Sequence, residues 1–155
     1  MFSGISLARS ELPEELIERH GLRRRVHDRG GEPELRFLTR ERAPVLPVWL
    51  DGQLRVVRWG NRRGQSRRLP CTAWTWLATV EKGGWAELEP VVVEIPAAMG
   101  LDRGVWFQIR EGVRGLAVRD EQGELVVFVL VEPASHYYQV MTRSAWMPVL
   151  IGERI

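Results

Sequence analysis

Residues 45 to 59 read Val45-Leu46-Pro47-Val48-Trp49-Leu50, then Asp51-Gly52, then Gln53-Leu54-Arg55-Val56-Val57-Arg58-Trp59. Both flanking runs are rich in β-branched and aromatic side chains, which suit a pleated, half-buried surface. Asp-Gly readily takes the two positive φ angles of a type I′ turn. The stretch therefore reads as a β-hairpin turning at 51–52. Pro47 has no N–H to give to a ladder, so its strand is expected at an edge or an irregular position.

Downstream, residues 91–95, 105–109, 113–118, 125–131, 137–141 and 148–151 are further β-branched or aromatic runs separated by Gly, Pro and Asp-Glu-Gln-Gly turns. His136-Tyr137-Tyr138 is read as the polar start of one of them. Residues 72–80 fit either a helix carrying Trp74 and Trp76 or a strand. Upstream, residues 10–21 have the punctuation of a short helix, with a capping serine, Pro13, early acids and a terminal glycine, which puts His20 at its end. Arg23-Arg24-Arg25 and residues 27–33 read as an exposed loop. Many short strands at close spacing predict an α+β, β-rich single domain over residues 1–155, with a mostly antiparallel sheet or barrel-like core and peripheral short helices.

Composition agrees with a globular domain: 45% of residues are hydrophobic and 27% charged. No apolar run approaches a membrane span, the first residues lack the pattern of a signal peptide, and the single cysteine, Cys71, has no partner for an internal disulfide. Those features predict a cytoplasmic protein. The net charge of +2 is unevenly spread: residues 1–70 hold 15 arginines against 9 acids, and residues 71–155 hold 7 basic against 11 acidic groups. Four arginines, Arg62, Arg63, Arg67 and Arg68, fall within eight residues of a polar loop. Guanidinium forks match phosphates well, and an exposed tryptophan offers a stacking platform for a base. The candidate nucleic-acid-binding residues are therefore Arg58, Arg62, Arg63, Arg67, Arg68 and Trp74, with single-stranded DNA as the expected partner. The same arginines could equally form a solvated turn. Of the seven tryptophans, Trp49, Trp59 and Trp106 lie within apolar strand patterns and are expected in the core.

Three further stretches carry a family resemblance. Residues 36 to 60 run from Arg36-Phe37-Leu38-Thr39-Arg40 through the Asp51-Gly52 turn to Arg58-Trp59-Gly60. Ile95-Pro96-Ala97 follows, and Met147-Pro148-Val149-Leu150-Ile151 comes last. In this order they resemble the SOS response-associated peptidase (SRAP) family, which implies a β-rich fold and a link to single-stranded DNA. The resemblance does not bring the family's chemistry. The family's nucleophilic cysteine follows the initiator methionine, and that position here is Phe2, a residue large enough that the methionine is expected to be retained. The Asn-Ala-Arg element falls at Thr72-Ala73-Trp74, the catalytic histidine at Ser144, and the glutamate at Asp102.

No catalytic residue is therefore assigned, and no cofactor or metal is expected. Cys71 is best read as a small buried hydrophobe, and His20, His27 and His136 have no ligand spacing with it or with one another. Three functions stay open: a non-enzymatic, diverged SRAP-like domain that binds single-stranded DNA; a protein-interaction or structural module of phage or mobile-element origin; and an enzyme with a site near Asp102 or Cys71.

Overall fold

The computed structural model describes residues 1–28 and 30–152. In chain order the strands are β1 (Phe2–Ala8), β2 (Val26–His27), β3 (Glu34–Leu38), β4 (Val45–Leu50), β5 (Gln53–Trp59), β6 (Trp74–Trp76), β7 (Val91–Pro96), β8 (Met99–Asp102), β9 (Val105–Gln108), β10 (Gly112–Arg119), β11 (Leu125–Pro133) and β12 (Trp146–Pro148). The helices are α1 (Glu14–Arg19), α2 (Leu77–Glu81) and α3 (His136–Thr142), with 3₁₀ turns at Arg9–Glu11, Leu22–Arg25 and Ala86–Leu88.

The hairpin forms as expected. β4 and β5 pair from Val45 opposite Arg58 to Leu50 opposite Gln53, and Asp51 and Gly52 take φ of 51° and 73°. Strands run in the order β10-β7-β4-β5-β11, and β10 also pairs with β11, which closes a five-stranded barrel. β4 is thus flanked on both sides. Its pairing to β7 is confined to Trp49 and Glu94, so Pro47 sits where that ladder is interrupted, at an irregular position and not at an edge. Two pairings are parallel, β11 with β5 and β11 with β6; the others are antiparallel.

A second sheet, ordered β2-β3-β1-β8-β9, shares a core with the barrel: Ile5, Leu35 and Phe37 cluster with Leu46, Ile95 and Val113, all fully buried. β11 shows why its sequence is continuously apolar. Val127, Val129 and Val131 enter this core, while Val126, Phe128 and Leu130 enter a smaller one closed by Leu69, Trp85 and Val149.

Several expectations are corrected. Residues 137–141 are not a strand but most of α3: Ser135 caps the helix by accepting from the Tyr138 N–H, and Tyr138 and Thr142, four apart, face inward. Residues 72–80 divide into β6 and α2. The strand expected at 148–151 begins earlier, as β12, and leaves a single bridge from Leu150 to Val113. At 10–21 the helix is shorter, and Ser10 does not cap it but donates to Glu32. The expected loop at 23–33 contains a 3₁₀ turn and β2, and Arg29 lies outside the described residues. Trp49 is exposed on the barrel's outer face and Trp106 is half-buried under Arg36, whereas Trp59 is in the core. Cys71 is exposed. No helix among the described residues is long and apolar enough to cross a membrane.

Candidate nucleic-acid interface

The polar loop after β5 is built around a side chain the sequence reading passed over. Asn61 is buried; its amide donates to the carbonyls of Ser66 and Leu69 at 3.0 and 2.9 Å and accepts from the Ser66 N–H at 3.0 Å. Ser66 Oγ in turn accepts from the Arg68 and Leu69 N–H groups. The loop's backbone is therefore shaped by a buried polar network.

The surroundings of the arginines differ. Arg62 donates to the carbonyls of Thr39, Glu41 and Arg42 at 2.6, 2.9 and 3.3 Å, tying the loop to the turn after β3. Arg58, expected among phosphate-binding residues, is mostly buried and ion-paired with Asp120 and Glu124. The backbone N–H of Arg67 donates to Glu121, whose carboxyl is held below the usual range first by the Ser66 hydroxyl. Arg68 lines a depression that also holds Asp51 and Glu89. The four-arginine clamp is thus divided. Only Arg62 and Arg63 reach the surface that also carries Trp74.

That surface is a cleft of about 430 Å³ lined by Arg40, Asn61, Arg62, Arg63, Cys71 and Trp74, among others. Trp74 is half-buried and oriented from both ends of its chemistry: its backbone sits in β6 opposite Val129, and its indole N–H donates to the Phe2 carbonyl at 2.9 Å. Arg40 is common to this cleft and to a neighbouring hollow of about 720 Å³ that also holds Arg24, Arg25, Arg36 and Arg42, with Glu41 the one carboxylate among the described residues that line it. Arg25 pairs with Glu41 and Arg36 with Glu34. Arg24, Arg40, Arg42 and Arg63 are exposed. Arg40 was legible only as part of the basic excess of residues 1–70.

Behind Trp74 lies a buried polar cluster. Asp102 is fully buried and accepts from the Tyr138 and Ser144 hydroxyls at 2.6 Å each; the Met1 amino group lies 2.7 Å from it and donates to Ser144 Oγ at 3.1 Å. Burial, then the hydrogen bond and charge of Asp102, push the Tyr138 hydroxyl far above the ordinary tyrosine range. The topology explains the convergence: β1 lies beside β8, and the turn after α3 brings in Ser144. Met1, Phe2, Trp74, Asp102 and Ser144, far apart in sequence, thus form one contact network. Tyr138 is its member that sequence reasoning missed, because it was placed in a strand.

No family model, curated protein or solved structure matches the chain. His20 sits at the C-terminal end of α1, His27 lines the basic hollow, and His136 opens α3 on the surface. Among the described residues, no three His, Cys, Asp or Glu side chains form a group able to hold a metal.

Proposed function

We propose that this protein is a non-enzymatic, single-stranded nucleic-acid-binding domain, a diverged SRAP-like protein that contacts DNA through Arg40, Arg63 and Trp74. The observation carrying this reading is the cleft itself, where Arg40, Arg62 and Arg63 line the same hollow as the half-buried Trp74 indole. Phosphates would sit on the arginines and a base on the indole, an arrangement that needs no base-edge contacts and so tolerates any sequence. The meeting of Phe2, Trp74, Asp102 and Ser144 supports the SRAP-like part of the reading, because these are the positions the resemblance singles out. Phe2 is buried and supplies no thiol.

Fluorescence anisotropy with a labelled single-stranded oligonucleotide, repeated over a salt series, tests the proposal. Binding should be sequence-tolerant and weaken steeply with salt, and Arg40→Ala with Arg63→Ala should lower the slope of log K against log salt by about 1.4 units, roughly 0.7 for each lost contact to a single strand. Trp74→Ala should lower affinity and leave the slope nearly unchanged. A wild-type protein that ignores the oligonucleotide at low salt would sink the reading. The protein-interaction reading would then take first place, supported by the exposed Trp76 stacked on Trp146 with ring centroids 5.2 Å apart.

A further inference from the structure

Nε and Nη2 of Arg58 are buried and have no hydrogen-bond partner. An unmade bond on a buried guanidinium is costly, and such donors mark places where another group completes the bonding. Asp120 lies 3.5 Å from Nη2 and Glu124 3.3 Å from Nη1, so charge holds the side chain in place while those two donors lack an acceptor in good geometry. Arg58 lines a cleft of about 630 Å³ together with Arg19, Arg55, Arg62, Arg119 and Glu124. The barrel's topology opens this cleft. β5 meets β11 only at Arg58 and Trp59, so residues 53–57 run on past the start of β11. Leu54 and Leu125 contribute an apolar lining.

We propose that this cleft binds a phosphate-bearing molecule with a flat apolar body, in chemical class a nucleotide. On binding, the Arg58 guanidinium turns from Asp120 toward the cleft, so that Nε and Nη2, buried in the free protein, donate to the phosphate; Arg55 and Arg119 add positive charge, and the base rests on Leu54 and Leu125. Five guanidinium groups against the carboxylates of Glu124 and, behind Arg58, Asp120 favour a ligand of more than one negative charge. Planar guanidinium forks match phosphate oxygens in pairs. The volume lies within the range usual for small-molecule sites, about 300–1,000 Å³. The proposal is independent of DNA binding at Arg40, Arg63 and Trp74; Arg62 lies between the two clefts.

Isothermal titration of the full chain with adenosine 5′-monophosphate, inorganic phosphate and a short thymidine oligonucleotide tests it. The nucleotide should bind more tightly than phosphate. Arg58→Lys, which keeps the charge but loses the fork, and Arg119→Ala, at an exposed position, should each weaken it about tenfold, and Arg63→Ala should not. If the oligonucleotide alone binds and weakens in the same two variants, the phosphate belongs to a strand and the anion site stands. A nucleotide that binds no better than phosphate overturns the apolar half of the assignment. If no ligand responds to Arg58→Lys or Arg119→Ala, the site is refuted; the response of the oligonucleotide to Arg63→Ala then reports separately on the DNA reading.

Discussion

The Tyr138 hydroxyl donates a 2.6 Å hydrogen bond to Asp102, joining α3 to β8 across 36 positions of chain. Both residues are fully buried, and the Tyr138 ring also meets Phe107 edge-on at 5.3 Å. Tyr138→Phe keeps that ring contact and removes only the donor. It should destabilise the protein by about 1–3 kcal/mol, the usual cost of leaving a buried acceptor short of a bond. Ser144→Ala should have a similar effect. Urea unfolding of the two single variants and the double variant checks both values and their coupling.

The same pair predicts an alkaline limit. Because the folded-state pKa of Tyr138 is raised, the folded protein keeps the phenolic proton where the unfolded chain has lost it. Its contribution is fully present below about pH 10, the ordinary tyrosine value, and is lost progressively as pH rises above it. Stability measured from pH 8 upward should fall above about pH 10, and Tyr138→Phe should remove this residue's share of the fall.

Two glycines with similar φ should respond differently to alanine. Gly52, at φ 73°, has open space where a Cβ would project, so Gly52→Ala should cost only the left-handed conformation, about 1–2 kcal/mol. Gly60, at φ 75°, would place its Cβ 2.8 Å from the Ala73 Cα and the Thr72 carbonyl oxygen. Backbone cannot swing aside as a side chain can. Gly60→Ala should therefore cost about 2–5 kcal/mol, the conformational and overpacking terms together. Thermal unfolding of the two variants side by side tests the ranking.

The divided arginine loop separates stability from binding. Arg62→Ala should lose about 1–2 kcal/mol of stability, since its guanidinium anchors three carbonyls. Arg63→Ala should leave stability unchanged and reduce both oligonucleotide affinity and its salt slope, by about 0.7 in the slope. Arg67→Ala and Arg68→Ala should change binding least, because Glu121 and Glu89 already lie on their side of the loop. Equal effects at all four positions would show that the loop acts as one clamp.

On the proposed SRAP-like reading, abasic-site DNA should form no covalent adduct and no thiol-dependent peptidase activity should appear, since Phe2 stands at the position of that family's cysteine. A denaturing gel is the check. An adduct abolished by Cys71→Ser would show that the exposed thiol in the arginine cleft had taken over the role.

Sequence alone was enough for the elements whose signals are local. The 51–52 turn rests on a dipeptide that adopts two positive φ angles, and the runs in β7, β10 and β11 rest on side-chain shape, so both could be read without knowing any neighbour. α3 was misread for a related reason: β-prone Tyr137, Tyr138 and Val140 suggest a strand when considered one by one, and it is the Ser135 cap and the inward spacing of Tyr138 and Thr142 that select the helix. Only the tertiary structure could divide the arginines. Whether a guanidinium faces a carbonyl turn, a carboxylate or a cleft depends on contacts up to 66 residues distant, as between Arg58 and Glu124. Nor does any spacing rule relate Asp102 to Tyr138, Ser144 and the Met1 amine. Those groups meet because β1, entering between β3 and β8, carries the Met1 amine to Asp102 at the end of β8, and the turn after α3 closes over both.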